Sequence, residues 1–210
     1  MKRGVTMKEK IKLKNKIIKR DFALLLVVCL AAGALTMLAP SASLTAQAAS
    51  KSSKKLEKTV TNIISKQTSK KDSKKTRLKK LFKYSENTYE YGRAMGFKAK
   101  KGWEKTFASE MYKKKAGSCY HFAAAYAFMA QKATGYKTRI AIGKTNGFNK
   151  SRVQPHAWAE IKIGSSWYIC DPNMDKFAAK SSGKYFLKKR NKLKKTYNNF
   201  KEVKYTTVKW

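Results

Sequence analysis

Near Gly135 the hydrophobic period of this chain changes, and that change limits the fold more than any other feature. Before it, apolar residues recur at helical spacing. Leu56, Val60, Ile63 and Ile64 share one face. Leu78, Leu81, Phe82, Tyr89 and Tyr91 are packing candidates in a helix expected over residues 76–92. Trp103, Phe107 and Met111 mark another over 103–114, whose last turn, Lys113 to Lys115, suits the negative end of a helix dipole. Residues 119–133 form an apolar helical run closed by Gly135. After it, residues 137–143, 157–163 and 167–171 follow the period of two that a strand requires. Gly164-Ser165-Ser166 is a tight turn, so the second and third of these strands should form an antiparallel hairpin. Residues 200–208 are expected to add one or two strands. Helices gathered first and strands second predict an α+β fold, with the 119–133 helix packed on a small antiparallel sheet and extra helices N-terminal to it.

The first 48 residues are excluded from that fold. Residues 1–21 are basic and charged, 22–50 carry no charge, and 22–39 are almost wholly apolar. Ala46-Gln47-Ala48 then offers the small-x-small pattern of a signal-peptide cleavage site. The expected division is a signal peptide over 1–48, a basic helix and linker over 49–75, and the main domain over 76–210. An uncleaved signal anchor is the rival, since 18 apolar residues just suffice to span a bilayer. The branched Val28 before Cys29 argues against a lipoprotein. The expected location is therefore outside the cell or at its surface.

Charge then narrows the partners. Residues 49–210 hold 40 Lys and Arg against 10 Asp and Glu, a net charge of +30. Such a field draws the protein toward polyanions. For an exported chain these are anionic cell-wall polymers or a membrane surface rather than nucleic acid. The excess is nearly all lysine, which fits diffuse attraction better than bidentate phosphate recognition. A monomer is expected. Only Cys119 and Cys170 follow the leader, too few for a disulfide framework, although a single bridge between them is arithmetically open.

Three residues carry the chemistry. Cys119 closes Ala-Gly-Ser-Cys at a helix start, where unpaired N–H groups and the dipole favour a thiolate. The N–H of Cys119 can also face a developing oxyanion. His156 stands in Pro-His-Ala-Trp and Asp171 in Trp-Tyr-Ile-Cys-Asp-Pro. Residues equidistant from Ser165 pair across the hairpin, which puts His156 opposite about residue 174 and Asp171 within a few residues of it. A base beside a thiol, oriented by a carboxylate, is the arrangement of nucleophilic acyl transfer. Strand alternation points Cys170 away from Asp171 and from Cys119, into the packing. His121, the other histidine, lies two residues after Cys119 and projects from a different helix face. For the same reason zinc on Cys119, His121, His156 and Cys170 is disfavoured, and no metal or cofactor is expected.

Gly117-x-Cys119 opening a helix, Gly135-Tyr136-x-x-Arg139, His156-Ala157-Trp158 and Trp167-Tyr168-x-x-Asp171-Pro172 together resemble the transglutaminase-like superfamily, within the papain-like cysteine fold. The resemblance covers roughly residues 103–175. It implies Cys119 as nucleophile, His156 as general base and acid, and Asp171 as orienting residue. The implied reaction is attack on a carboxamide or peptide carbonyl, a thioester, and transfer to an amine or water. The family often completes its oxyanion hole with an aromatic residue upstream of the cysteine; Trp103 and Tyr112 are candidates by position, and Trp158 can pack against the imidazole. Nothing in the chain resembles the calcium-binding modules of the animal cross-linking enzymes. Three functions stay open: an acyltransferase or hydrolase acting on protein or peptide amides, a cysteine endopeptidase or wall-peptide amidase, and an idle, basic wall-binding protein on the same fold.

Overall fold

The computed structural model describes residues 40–93 and 96–210. Most of the expected leader lies outside the described residues. Among those residues no helix is long and apolar enough to cross a membrane. Helix α1, Pro40–Gln67, runs into the compact unit Ser53–Trp210 and buries Leu56 and Val60 there. Helix α2 is Lys74–Thr88, capped by Ser73, whose hydroxyl accepts the N–H of Thr76 at 3.1 Å. It stops before Gly92 because the chain turns extended at Tyr89.

That turn serves a pairing. Strand β1, Glu90–Tyr91, lies parallel to β2, Ala116–Gly117, and the Gly92 N–H donates to the Gly117 carbonyl at 2.9 Å. Helix α3, Trp103–Lys114, stands between them in sequence, so the pair clips the end of α2 to the lead-in of the next helix. As a result Tyr91, expected to pack in a helix, stands half exposed.

Helix α4, Cys119–Thr134, is the centre of the molecule. Phe122, Tyr126 and Phe128 are fully buried along with most of its alanines, so it is enclosed on all sides, as a helix apolar all round must be. Each large side chain contributes about 1.5–3 kcal/mol by leaving water. The alanines keep its neighbours close.

The sheet beneath has the order β6-β5-β4-β3-β7, with every neighbouring pair antiparallel. Its strands are β3 Thr138–Thr145, β4 Gln154–Ile163, β5 Ser166–Cys170, β6 Lys188–Lys189 and β7 Lys204–Thr207. The expected hairpin joins β4 to β5 through Gly164 and Ser165, with Ile163 paired to Ser166 and Gly164 at φ +58°. Alternation splits the faces. Ala157, Ala159, Ile161 and Cys170 pack in the core that contains α4, while Trp158 and Ile169 join Tyr185, Leu193 and Tyr197 in a second core. The C-terminal aromatic segment therefore forms a third layer, behind the sheet. Helix α5, Pro172–Ala178, follows β5 directly, with Asp171 as its N-cap and Pro172 at its first turn.

Candidate active site

Gly117-Ser118 turns the chain from β2 into α4 and leaves Cys119 in the helix's first turn. His121 shapes that turn. Its Nδ1 accepts the Ser118 N–H at 3.1 Å, which closes a capping box with the Ser118 hydroxyl. A Cβ on Gly117 would fall 2.6 Å from the His121 side chain, so only glycine fits ahead of this cap. With Nδ1 accepting, Nε2 carries the proton toward Glu110 Oε2 at 3.3 Å. Burial lowers the proton affinity of this ring, against the pull of Glu110. His121 is thus a neutral helix cap. Among the described residues no acceptor takes the N–H of Cys119 or Tyr120.

His156 lies near the start of β4, on the face shared with Trp158. Its Nε2 meets Asp171 Oδ2 at 2.7 Å, and both side chains are buried. Register explains the meeting. Ala159 pairs with Cys170, so extending the ladder puts His156 opposite residue 173, one place from the expected 174, because the turn centres between Gly164 and Ser165. Asp171 leaves the strand there to cap α5. Its Oδ1 accepts the Met174 N–H at 2.9 Å, and Oδ2 accepts the Tyr197 hydroxyl at 2.7 Å as well as the imidazole. Three donors hold the carboxylate in one orientation. Burial pulls the His156 pKa down, but the Asp171 charge and hydrogen bond, with the Cys119 sulfur nearby, outweigh it and push it up to about 10. With Nε2 committed to Asp171, Nδ1 is the nitrogen left for the thiol.

Cys119 and His156 line one cleft of about 700 Å³. Tyr91 and Phe177, two of the few exposed large apolar side chains, stand at its rim with their rings 6.0 Å apart. Asn173 lines the cleft too; its side chain is fully buried, and neither Nδ2 nor Oδ1 has a partner among the described residues.

The other residues singled out from sequence lie elsewhere. The Tyr112 hydroxyl donates to the Ala125 carbonyl at 2.7 Å inside the core. Trp103 Nε1 donates to Thr206 Oγ1 at 3.2 Å, and its ring packs edge-on against Phe97 and Phe107. Trp158 Nε1 donates to Glu160 Oε1 at 3.0 Å, and its ring lies nearly parallel to that of His156 with 6.2 Å between centroids. None of the three lines the cleft. Cys119 and Cys170 are both free thiols, Cys170 facing the α4 core. Among the described residues no group of three His, Cys, Asp or Glu side chains could hold a metal ion. Sequence reasoning missed Tyr197 and Asn173. Tyr197 sits in a lysine-rich irregular tail with no period to mark it. Asn173 follows Asp171-Pro172 by one residue, and that dipeptide was the one cue available.

The family model described as the transglutaminase-like superfamily matches residues 61–172, a little over half of the 210 residues. The chain belongs to that superfamily. Among solved structures it is similar to a candidate cysteine protease from Cytophaga hutchinsonii, at 17% identity and a TM-score of 0.44, over 75% of this chain and 52% of that one. It is also similar to a structure described as a TGase, at 16% identity and a TM-score of 0.42, over 56% of this chain and 31% of that one. The chain thus matches about half the length of the first and under a third of the second. None of the curated proteins matches it.

Proposed function

We propose that this chain is a cysteine acyltransferase or hydrolase acting on carboxamide or peptide bonds through a thioester on Cys119. The observation that carries the reading is the 2.7 Å bond from buried His156 to Asp171 beside a cysteine at a helix N-terminus, in a shared cleft. In the resting pair His156 has already taken the thiol proton and stands as imidazolium, and the thiolate attacks the substrate carbonyl carbon. The carbonyl oxygen becomes an oxyanion facing the N–H groups at the start of α4. His156 then returns the proton to the leaving nitrogen as the carbon–nitrogen bond breaks, leaving a thioester. An incoming amine or water gives its proton to His156, attacks the thioester and releases Cys119. Asp171 keeps its charge throughout and stabilises the imidazolium.

Sequence supports two further parts of the reading: the chain is exported, and its lysine-rich surface holds it near anionic polymers. The test is direct. A glutamine-containing peptide and a fluorescent primary amine are added to the protein, and a thioester on Cys119 is sought by mass spectrometry after acid quenching. Wild type is expected to accumulate the adduct, and Cys119→Ala to lose it while melting within a few degrees of wild type. Fluorescent product indicates transfer; ammonia or a new carboxylate without it indicates hydrolysis. A Cys119 that alkylates no faster than free cysteine near pH 7, and never forms an adduct, ends the proposal.

A further inference from the structure

We propose that the cleft selects an acidic peptide, Arg93 and Arg152 pairing with carboxylates on either side of the reacting amide while the Asn173 amide takes its backbone. This rests on the acyl-transfer reading for the bond attacked, but not for the binding.

The chain has 42 lysines and seven arginines, so a cleft that merely sampled the surface would be lined by lysine. Among the described residues no lysine lines it, and no Asp or Glu does; besides the His156 ring, the cations present are both arginines. The other arginines of the compact unit are committed. Arg77 donates to the carbonyls of Ala133 and Lys70, and Arg139 and Arg190 both grip buried Glu160. Arg93 and Arg152 have no carboxylate partner among the described residues. A planar guanidinium offers two parallel donors that match a carboxylate, which an ammonium does not.

The fold attaches them to different segments of the site. Arg93 follows β1, whose backbone is bonded to the lead-in of Cys119 through Gly92 and Gly117. Arg152 lies four residues before His156, in the loop entering β4. One arginine is therefore tied to the nucleophile's segment and the other to the base's, so an extended chain lying across Cys119 and His156 would have an arginine of each segment at hand. Tyr91 and Phe177 at the rim offer apolar contact to its side chains. Asn173 answers a peptide's backbone, because its amide can donate to a carbonyl and accept from an N–H. A buried amide without either partner is destabilising, and a bound peptide's backbone would supply the missing hydrogen bonds.

The test separates binding from chemistry and local pairing from the general positive field. Three unreactive peptides carry norleucine in place of the target glutamine and are flanked by Glu, Ala or Lys. Each is added before iodoacetamide, and alkylation of Cys119 is followed by peptide mapping. The Glu peptide is expected to protect Cys119 at about one-tenth the concentration the Ala peptide requires, and the Lys peptide least of all. Arg93→Gln with Arg152→Gln should erase that preference. Lys75→Gln with Lys79→Gln removes the same charge from exposed positions on α2 and should leave it intact. Equal protection by all three peptides, no protection by any, or an equal loss in the lysine variant overturns the proposal. Both exposed arginines can be replaced without burying anything, and a thermal melt checks that the variant folds. Should the glutamine versions never acylate Cys119 while the Glu peptide still protects it, the acyl-transfer reading fails and this one stands. Acylation without charge preference gives the reverse.

Discussion

The two histidines of this chain occupy almost equal burial and have opposite proton affinities. His121 is 8% exposed and His156 is 1% exposed, and each faces one carboxylate. Burial lowers the pKa of both rings. For His121 it wins, because Glu110 sits 3.3 Å away and is itself 39% exposed, so solvent screens it. For His156 the carboxylate wins, because Asp171 lies at 2.7 Å, is 1% exposed and is held by Met174 and Tyr197. Depth alone therefore does not make a histidine neutral or charged. What decides is whether the carboxylate is buried and oriented with it.

The sharpest way to break this contrast is to remove each ring in turn. His156→Ala should slow alkylation of Cys119 near pH 7 by about tenfold, since an unpartnered cysteine is only a few per cent thiolate there. His121→Ala should leave that rate within a few-fold of wild type and instead destabilise the protein by about 1 kcal/mol through the lost cap. Iodoacetamide kinetics and urea melts on the two variants read both quantities. If the His121 variant is the one that loses thiol reactivity, the base has been misassigned.

The contrast also has a spectroscopic form. With only two histidines, a ¹⁵N-histidine sample gives two rings, told apart by single variants. At pH 8 the His156 ring should show imidazolium shifts and the His121 ring neutral ones. The stability consequence follows from the direction of the shift. The folded pKa of His156 is raised, so its contribution is complete below the ordinary imidazole value of about 6.5 and is lost as pH rises toward about 10. The alkaline limb of Cys119 reactivity should fall in that same upper range. A His156 ring that is neutral at pH 7 would falsify the balance described here.

What sequence revealed of these two sites, and what it concealed, follows from the length scale of each feature. The helix Trp103–Lys114 and the start of α4 at Cys119 were legible because several turns of apolar period lead to them. The β4–β5 hairpin was legible because Gly164-Ser165 interrupts a period of two, and the register came within one residue. Strands β1 and β2 have two residues each and no period; they exist because the chain folds back on itself. Helix α5 is seven residues long, and its one cue, Asp171-Pro172, is an N-cap followed by a first-turn proline that reads equally well as a turn. Tyr197 lies beside Asn198, Asn199 and Phe200, all at positive φ, where no regular pattern can point to it. The candidate oxyanion residues show the same limit. Spacing alone could not say that the Tyr112 hydroxyl is taken by Ala125 or the Trp103 nitrogen by Thr206.

The smallest expected effect tests why His121 differs. Glu110→Gln removes the charge facing Nε2 but keeps an acceptor at the same place, so the ring's neutral tautomer and its cap on Ser118 should survive. Glu110 also pairs with Lys114, and that contact is exposed on both sides. Stability should therefore change by no more than about 0.5 kcal/mol. The His121 pKa, already lowered by burial, should fall further once the one group raising it through charge and hydrogen bonding is neutral. Cys119 alkylation should not change, since neither Glu110 nor His121 lines the cleft. A Glu110→Gln variant that slows Cys119 in step with a drop in the His121 pKa would mean that the two histidines are coupled through the first turn of α4, and that the cap takes part in holding the thiolate.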